Sequence, residues 1–497
     1  MQRLFLSLDI GTSSARTIIW DGAGTAVAGS VAQHEYRMTT TADGGVEMDC
    51  SLLLQSIEEC IDRSLNSLKP GGFVVGAVGI STYWHSMLGL DENGCAITPI
   101  YNWADTRPAQ DAKTLQSLLD AQDVYQRTGC VIHPSYYPAR LHWLQRTQPD
   151  VFNRVKLWVS PGEFLLSKWL GGDTIKTSLS MASGTGLFNQ VLAAWDVQLL
   201  QRLQIDPSSL PHINHNAIAS QGLTADYANR WPSLANTPFC GAVGDGACGN
   251  MGSGCSTPDR MALNMGTSGA LRVVWPASTA APIDRDTQGL WNYHVDGSRR
   301  ITGAAFSDGG VVYQWMRRTL QLPDVAALES EISRRQPGDH GLCFLPFLAG
   351  ERSMGWNTEA RGAVLGMNLD TDPISILHAS LEAVALRFSL AATKLHTIFP
   401  AAGSVIASGG ALAHSPAWAQ MFADSMNLPI TLAGEAEASS RGAALIAMEA
   451  AGEIKSVTDL PFATGVTYYP DNEKVTCYKQ LLEQQQAAYH AVFTPQS

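Results

Sequence analysis

Nothing in this sequence pairs its cysteines. The nine stand at 50, 60, 95, 130, 240, 248, 255, 343 and 477, with no Cys-x-x-Cys and no regular spacing. That scatter reads as reduced thiols and speaks against a zinc site or a disulfide framework. Basic residues are also in deficit: 33 Lys and Arg against 45 Asp and Glu leave a formal charge of −12, the reverse of the basic face that nucleic-acid binding needs. An anionic nucleotide is still allowed, because backbone amides and a divalent cation supply local positive potential. No apolar run approaches the roughly 20 residues of a membrane span. Low-complexity tracts are absent, and the chain opens on a strand pattern instead of a signal peptide. The expectation is a soluble cytoplasmic protein with no nucleic-acid and no membrane partner. At 497 residues, 45% of them hydrophobic and 16% charged, it fits a globular enzyme of two large domains.

What is present is organised around the first twenty residues. Leu4, Leu6 and Leu8 alternate with smaller or polar positions, Gly11-Thr12-Ser13-Ser14 makes a turn, and Ala15 to Trp20 reads as a returning strand. A further extended run is expected from Ala26 to Val31. No Gly-Lys-Thr is present and no helix follows the glycine, so this is not a P-loop. A hairpin of small hydroxyl residues can nonetheless offer N–H groups and Oγ atoms to a phosphate, and Asp9 beside it is placed to hold a divalent cation through water. The plainer reading is an ordinary edge hairpin. A second copy changes the balance: Asn264-Met-Gly-Thr-Ser-Gly-Ala-Leu-Arg-Val-Val-Trp275 repeats Asp9-Ile-Gly-Thr-Ser-Ser-Ala-Arg-Thr-Ile-Ile-Trp20 about half a chain later. Two homologous halves follow, not a solenoid.

Between the copies, Ser51 to Leu68 has helical spacing with Leu53, Ile57, Cys60 and Ile61 on one face. A buried strand, Phe73 to Ile80, ends in Tyr83-Trp84-His85-Ser86, and parallel α/β sheets place ligand groups at such strand ends. Asn102, Trp103, Asp105 and Arg107 cluster within six residues; this suits a polyhydroxylated ligand or an ordinary polar loop. Residues 110–205 read as mainly helical, with Ser178 to Thr185 a packed loop, and Pro207 to Pro238 as a loop-rich stretch lining the cleft or inserted in the first domain. Gly244-Asp245-Gly246 stands at a strand-to-helix junction, where a carboxylate is either a general base or a helix N-cap. In the second half, strands are expected near Ile301 and Gly341, loops over Gly350–Trp356 and Ala360–Gly366, and a long helix over Pro373–His396. Val405 to Gly410 is a strand ending in paired glycines, which is either a nucleotide approach or a plain turn. Helices begin near Ser415-Pro416 and over Glu437–Ile446.

Taken in order, the duplicated Gly-Thr-Ser hairpin, Gly244-Asp245-Gly246 and Ser408-Gly-Gly-Ala-Leu-Ala-His-Ser-Pro-Ala-Trp418 resemble the FGGY carbohydrate kinase family. Gly362 to Glu382 resembles that family's C-terminal signature, and Arg140-Leu-His-Trp-Leu144 its N-terminal one, with Arg where Lys is usual. The resemblance spans essentially the whole chain. It implies an α/β, actin-like ATPase (ribonuclease H-like) fold of two duplicated domains, 1–246 on the sugar side and 247–497 on the nucleotide side, with a cleft between them. It also implies MgATP as phosphoryl donor. Gly11, Thr12, Ser13, Gly266, Thr267 and Gly309 would hold the phosphates, Gly409, Gly410 and Ser415 the adenosine, and Asp9 and Asp245 the Mg²⁺. Arg16 would stand near the transferred group, and Asp245 would be the catalytic base. Trp84, His85, Trp103, Asp105 and Arg107 would bind the sugar. Tyr83-Trp84-His85-Ser86, Trp103-Ala-Asp-Thr-Arg107 and Gly350-Glu-Arg-Ser353 are similar to the gluconate kinase branch; for a sugar acid, Arg107, Arg140 and His85 would meet the carboxylate. Xylulose or another ketose is the alternative substrate. A non-catalytic actin-like ATPase or sugar sensor is the alternative class. The resemblance leaves room for a homodimer.

Overall fold

The computed structural model describes residues 1–69, 71–170, 175–278, 287–434 and 437–493. Its first sheet is built from β1 (Gln2–Ile10), β2 (Ser14–Trp20), β3 (Ala32–Glu35), β4 (Phe73–Thr82), β5 (Ile218–Gln221), β6 (Pro238–Cys240) and β7 (Val243–Gly244). The strand order is β5-β6-β4-β1-β2-β3, with β7 also on β4. β1 and β2 form the expected antiparallel hairpin, while β1, β6 and β7 run parallel to β4. The third strand starts at Ala32, later than the expected Ala26–Val31 run, because Gly24 and Gly29 take φ of 72° and 77° and turn the chain there. The Pro207–Pro238 stretch supplies edge strand β5, so it is inserted in the first domain's sheet. Helix α1 (Cys50–Asn66), capped by the Asp49 carboxylate, buries Leu53, Ile57, Cys60 and Ile61. In place of the expected packed loop, Leu179–Ser183 is a short buried helix, α2, capped by Ser178.

Helix α3 (Asp245–Gly252) leads into a second seven-stranded sheet. Its strands are β8 (Met261–Met265), β9 (Gly269–Pro276), β10 (Trp291–His294), β11 (Arg299–Phe306), β12 (Val405–Ser408), β13 (Ile430–Ala433) and β14 (Thr464–Tyr468), in the order β10-β11-β9-β8-β12-β13-β14. β8 and β9 repeat the β1–β2 hairpin, and β12 lies parallel to β8 as β4 does to β1. Helix α4 (Gly310–Thr319) follows β11. The Ala360–Gly366 stretch, expected as loop, contributes Ala363–Leu365 as a strand on Cys343–Leu345.

Helix α5 (Pro373–Ile398) is 26 residues long and is apolar enough to cross a membrane by length and composition, contrary to the absence of such a run expected above. The fold explains its character, since 83% of its most apolar stretch is buried in the second core. Among the described residues no other helix meets that test.

Helices α6 (Pro416–Met426) and α7 (Ala438–Ala450) complete the frame. Although α7 comes late in the chain, Ala443 to Met448 belong to the first core, packed on β1 and β4. The expected division at 246/247 therefore falls inside α3, and α3 and α7 form the seam joining the halves. Glycine makes that seam close: a Cβ on Gly442 would stand 1.8 Å from the Cys248 carbonyl oxygen, one on Gly252 1.8 Å from that of Ala438, and one on Gly79 2.0 Å from that of Ala443. Gly442→Ala should therefore destabilise by about 1–3 kcal/mol or more, whereas Gly72→Ala, with nothing nearer than 3.8 Å, should be neutral. Urea unfolding midpoints of the two variants check this.

Candidate active site

Strand ends converge on the cleft. Asp9, near the end of β1, pairs in register with Ser81 of β4; Trp84 and His85 leave β4; and β7, paired to Ser81 and Thr82, delivers Asp245. Asp245 is the first residue of α3 and Gly244 is the N-cap, so the carboxylate does not cap the helix from outside; it accepts the Gly246 N–H at 2.7 Å. Gly244 leaves no room for a side chain, and Gly246 is tightly packed. A Cβ on Gly244 would lie 1.9 Å from the Trp84 ring, and one on Gly246 would lie 2.9 Å from Trp84 and from Arg272 Nε. Trp84 is fixed by its Nε1–H donating to the Ser180 carbonyl at 3.0 Å, while the Ser180 hydroxyl accepts the Gly244 N–H at 3.1 Å. The α2 segment is thus a brace for both.

Two cavities meet at Asn264. One, of about 150 Å³, is lined by Trp84, His85, Trp103, Asp245, Arg272 and Arg352 together with Tyr83, Trp291 and Tyr293. Trp291 and Tyr293 stack at 4.3 Å, with Trp84 edge-on to both, giving an aromatic wall for C–H faces. Arg352 lies over Trp103 at 5.0 Å. Among the described residues neither Arg272 nor Arg352 forms an ion pair, and the Nε of each is buried without a hydrogen-bond partner. The second cavity, of about 400 Å³, is lined by Asp9, Arg16, Ser408, Gly409, Gly410 and Glu437 among others. Two further clefts, of about 310 and 640 Å³, contain none of the expected site residues.

The two carboxylates are electrostatically coupled. Burial raises the pKa of each; Arg272 works against this at Asp245, as Arg16 and Ser440 do at Asp9, while Asp9 adds to the rise at Asp245. Ser440, in the first turn of α7, donates to Asp9 Oδ2 at 3.4 Å. Arg16 is ion-paired to Glu437 and stands 3.8 Å from Asp9.

Several expected residues are committed elsewhere. Arg107 holds Asp105 and Glu47 and packs on Trp143 at 4.6 Å, and neither Arg107 nor Asp105 lines the sugar-side cavity. Arg140, fully buried, donates to the carbonyls of His85, Asn102 and Ser135; it holds the backbone of His85, whose φ is 65°. His85 does line the cavity, but burial pushes its pKa down to about 3 and its Nδ1 lies against the Gly184 carbonyl, so it is a neutral ring and no carboxylate partner. Ser415 caps α6 and donates to Glu329, and it does not line the nucleotide-side cavity. Thr12, Ser13, Gly266 and Thr267 form exposed hairpin tips, closed by Gly11 N–H to Ser14 O and Gly266 N–H to Ser268 O. Gly309 packs beneath the second tip, where a Cβ would lie 2.7 Å from the Ser268 carbonyl carbon. Gly409, at φ 99°, brings the backbone against Met265, and Gly410 faces the cavity.

Two models decide the family: that of the FGGY family of carbohydrate kinases, N-terminal domain, matches residues 4–252, and that of its C-terminal domain matches 261–451. The chain belongs to the FGGY family of carbohydrate kinases. It is an ATP-dependent sugar kinase with the two-domain actin-like fold. Similar proteins include a gluconokinase of Bacillus subtilis (strain 168), 26% identical over 486 residues that cover 94% of this chain and 91% of that one. A xylulose kinase of Staphylococcus xylosus is 25% identical over 443 residues, covering 89% and 90%. The crystal structure of gluconate kinase from Lactobacillus acidophilus superposes with a TM-score of 0.91 at 25% identity, covering 99% of this chain and 98% of that one.

Within this FGGY kinase, sequence reading missed Arg272 and Arg352 as cavity residues. Arg352 was visible in Gly350-Glu-Arg-Ser353. Arg272 was not, because in the aligned hairpins Leu271 takes the place of Arg16. The registers differ by one: Asp9 faces Arg16, but Asn264 faces Ala270, and Arg272 stands opposite Ala262. Away from the cleft, His340, His378 and Glu382 bring possible ligand atoms within 4.8 Å. Yet His340 Nδ1 accepts the Leu342 N–H, which leaves the proton on Nε2 to donate to Glu382 at 2.9 Å. Glu382 also accepts from the Gly338 N–H and the Tyr478 hydroxyl, whereas His378 Nδ1 is buried without a hydrogen-bond partner among the described residues.

Asp308, 6% exposed, accepts the Leu348 N–H at 3.1 Å, and burial pushes its carboxyl up to about 7. A raised carboxyl favours the protonated fold, so its contribution is complete below pH 4 and is lost as pH rises through about 7. Asp308→Asn, which cannot ionise, should gain stability relative to wild type between pH 5 and pH 8. Melting temperatures at both pH values test this, and a constant difference would contradict it.

Proposed function

We propose that this kinase phosphorylates gluconate or a closely related sugar acid. The observation that carries the reading is the pair Arg272 and Arg352, two half-buried arginines in the cavity of Asp245, each with its Nε buried and without a hydrogen-bond partner and neither in an ion pair among the described residues. A buried donor without an acceptor carries a desolvation cost, and an anionic substrate that accepts from these guanidinium groups would offset it. The net charge of the cavity suits a carboxylate better than a neutral ketose. The gluconokinase relative points the same way; the xylulose kinase relative keeps xylulose as the second reading.

In this reading the sugar lies on the aromatic wall of Trp84, Trp103, Trp291 and Tyr293, with its carboxylate on Arg272 and Arg352. Asp245 accepts the proton of the attacking hydroxyl, and its raised pKa brings it nearer the working range of a base. The N–H groups and hydroxyls of the Thr12–Ser13 and Gly266–Thr267 tips hold the phosphates, Gly409 and Gly410 admit the adenosine, and Arg16 leaves Glu437 to balance the transferred phosphoryl charge. Two half-buried carboxylates, with the charge of Asp9 felt at Asp245, fit a divalent cation, so Asp9 and Asp245 would hold the Mg²⁺. Bound there, it neutralises phosphate charge. The aromatic wall keeps water, the competing acceptor, off that face of the sugar.

Asp245→Asn should lower turnover by about 10²–10⁴-fold while leaving ATP affinity nearly unchanged. Coupled ADP-release and nucleotide-binding assays read the two parameters separately, and near-normal turnover would sink the assignment. Arg352→Ala should raise the KM for gluconate by about 10–100-fold, the worth of a charge-assisted hydrogen bond, with less effect on xylulose or glycerol. A panel of gluconate, xylulose, ribulose and glycerol measures both. A wild-type preference for a neutral sugar would overturn the sugar-acid reading.

A further inference from the structure

The segment from Ala305 to Val311, which ends β11 and begins α4, is bonded to both sides of the cleft at once. Towards the nucleotide side, Gly310 N–H donates to the Gly266 carbonyl at 2.8 Å and Val311 N–H to that of Thr267 at 3.0 Å. Gly309 lies flush under the same hairpin tip. Towards the sugar side, Asp308 Oδ1 accepts the Leu348 N–H at 3.1 Å. Ser353 N–H donates to the Ala305 carbonyl at 2.9 Å, and Ala305 N–H donates to Ser353 Oγ at 3.0 Å. Leu348 and Ser353 bracket the loop that carries Arg352, and both Arg352 and Ala305 line the 150 Å³ cavity. Side-chain contact between Asp308 and either cavity is absent from both linings, so its influence runs through the loop it holds.

We infer that Asp308 is a positioning residue that ties the Gly266–Thr267 hairpin to the Arg352 loop, so that nucleotide on the hairpin tightens sugar binding and sugar tightens nucleotide binding. This rests on the reading above of the hairpin as a phosphate holder and of Arg352 as a substrate contact. The hairpin tip is exposed and the Arg352 loop is irregular, so each loses conformational freedom when its ligand binds. A ligand that orders one tip orders the other loop through the 305–311 segment, and the second ligand then meets a site already set. Thermodynamic linkage makes the effect reciprocal. Leu348 also packs on the second core and its N–H reaches the Pro346 carbonyl at 2.8 Å, and Asp308 supplies the acceptor that links this end of the loop to the 305–311 segment.

The test uses the full-length protein with MgADP and the preferred sugar of the substrate panel. Calorimetry should show that MgADP tightens the sugar Kd of wild type by about five-fold or more, and hydrogen exchange should show slower exchange over 346–353 with MgADP alone. Asp308→Ala should bring the factor within about two-fold and abolish the MgADP-induced protection, while Asp308→Asn, whose Oδ1 still accepts the N–H, should keep both. Ser353→Ala, which removes a separate bond of the same tie, should lose part of the coupling and serves if Asp308→Ala does not fold. Absence of coupling in wild type, unchanged coupling in folded Asp308→Ala, or equal loss in Asp308→Asn would overturn the inference. If Arg352→Ala leaves sugar affinity unchanged, the reading of Arg352 fails instead, and exchange over 346–353 still reports on the tie.

Discussion

Two half-buried carboxylates, Asp9 and Asp245, are brought close enough for the charge of one to be felt at the other, and the rest of the fold is the means of doing so. Desolvation in the cleft raises the pKa of each, and the charge of Asp9 adds to the rise at Asp245. They are held together by a seam in which α7, late in the chain, lies glycine-close against α3 and the first sheet. Gly79, Gly252 and Gly442 admit backbone contacts that no side chain would allow. The same helix presents Ser440 to Asp9, and its N-cap position is Glu437, the partner of Arg16. The seam therefore does more than join two cores; it sets the electrostatics of the cleft.

Duplication supplied the frame, and divergence made it asymmetric. Each half has a β-hairpin whose first strand runs parallel to an inner strand, and each ends that inner strand near the cleft. The difference of one residue between the two hairpins changes which side chains face each other across the strands. In the first copy the cation stands opposite Asp9 on the nucleotide side. In the second, Asn264 replaces the acid and Arg272 reaches the sugar-side cavity. Two carboxylates, Asp9 and Glu437, with Arg16 on one side, and two arginines with no acid but Asp245 on the other, divide the cleft into two chemically different chambers.

Much of this was legible in the residues. The duplicated hairpin, the strand before Gly244-Asp245-Gly246, the helix of Leu53, Ile57, Cys60 and Ile61, and the glycine pair at 409–410 all carry local signals, because turns, strands and amphipathic faces are written in short range. What was not legible is pairing. Asp105 and Arg107 sit two and four residues from Trp103, yet Arg107 pairs with both Asp105 and Glu47, while Trp103 alone of the three reaches the cavity. Ser415 has the composition of a ligand group and the job of a helix cap. Arg140 reads as a cation and serves as a fixed donor to three carbonyls. In each case residue type announced a capacity, and long-range packing decided who used it. The membership of α7 in the first core is the same lesson at the scale of a helix, since chain order carries no information about which sheet a late helix covers.

The most direct test of the account is a crystal structure of this kinase with gluconate and a non-hydrolysable MgATP analogue. The account predicts the sugar carboxylate on Arg272 and Arg352 and one terminal hydroxyl on Asp245. It predicts the γ-phosphoryl group between that hydroxyl and the Thr12–Ser13 and Gly266–Thr267 tips, with Arg16 parted from Glu437. A sugar bound in another cavity, or bound here with its carboxylate away from both arginines, would contradict it.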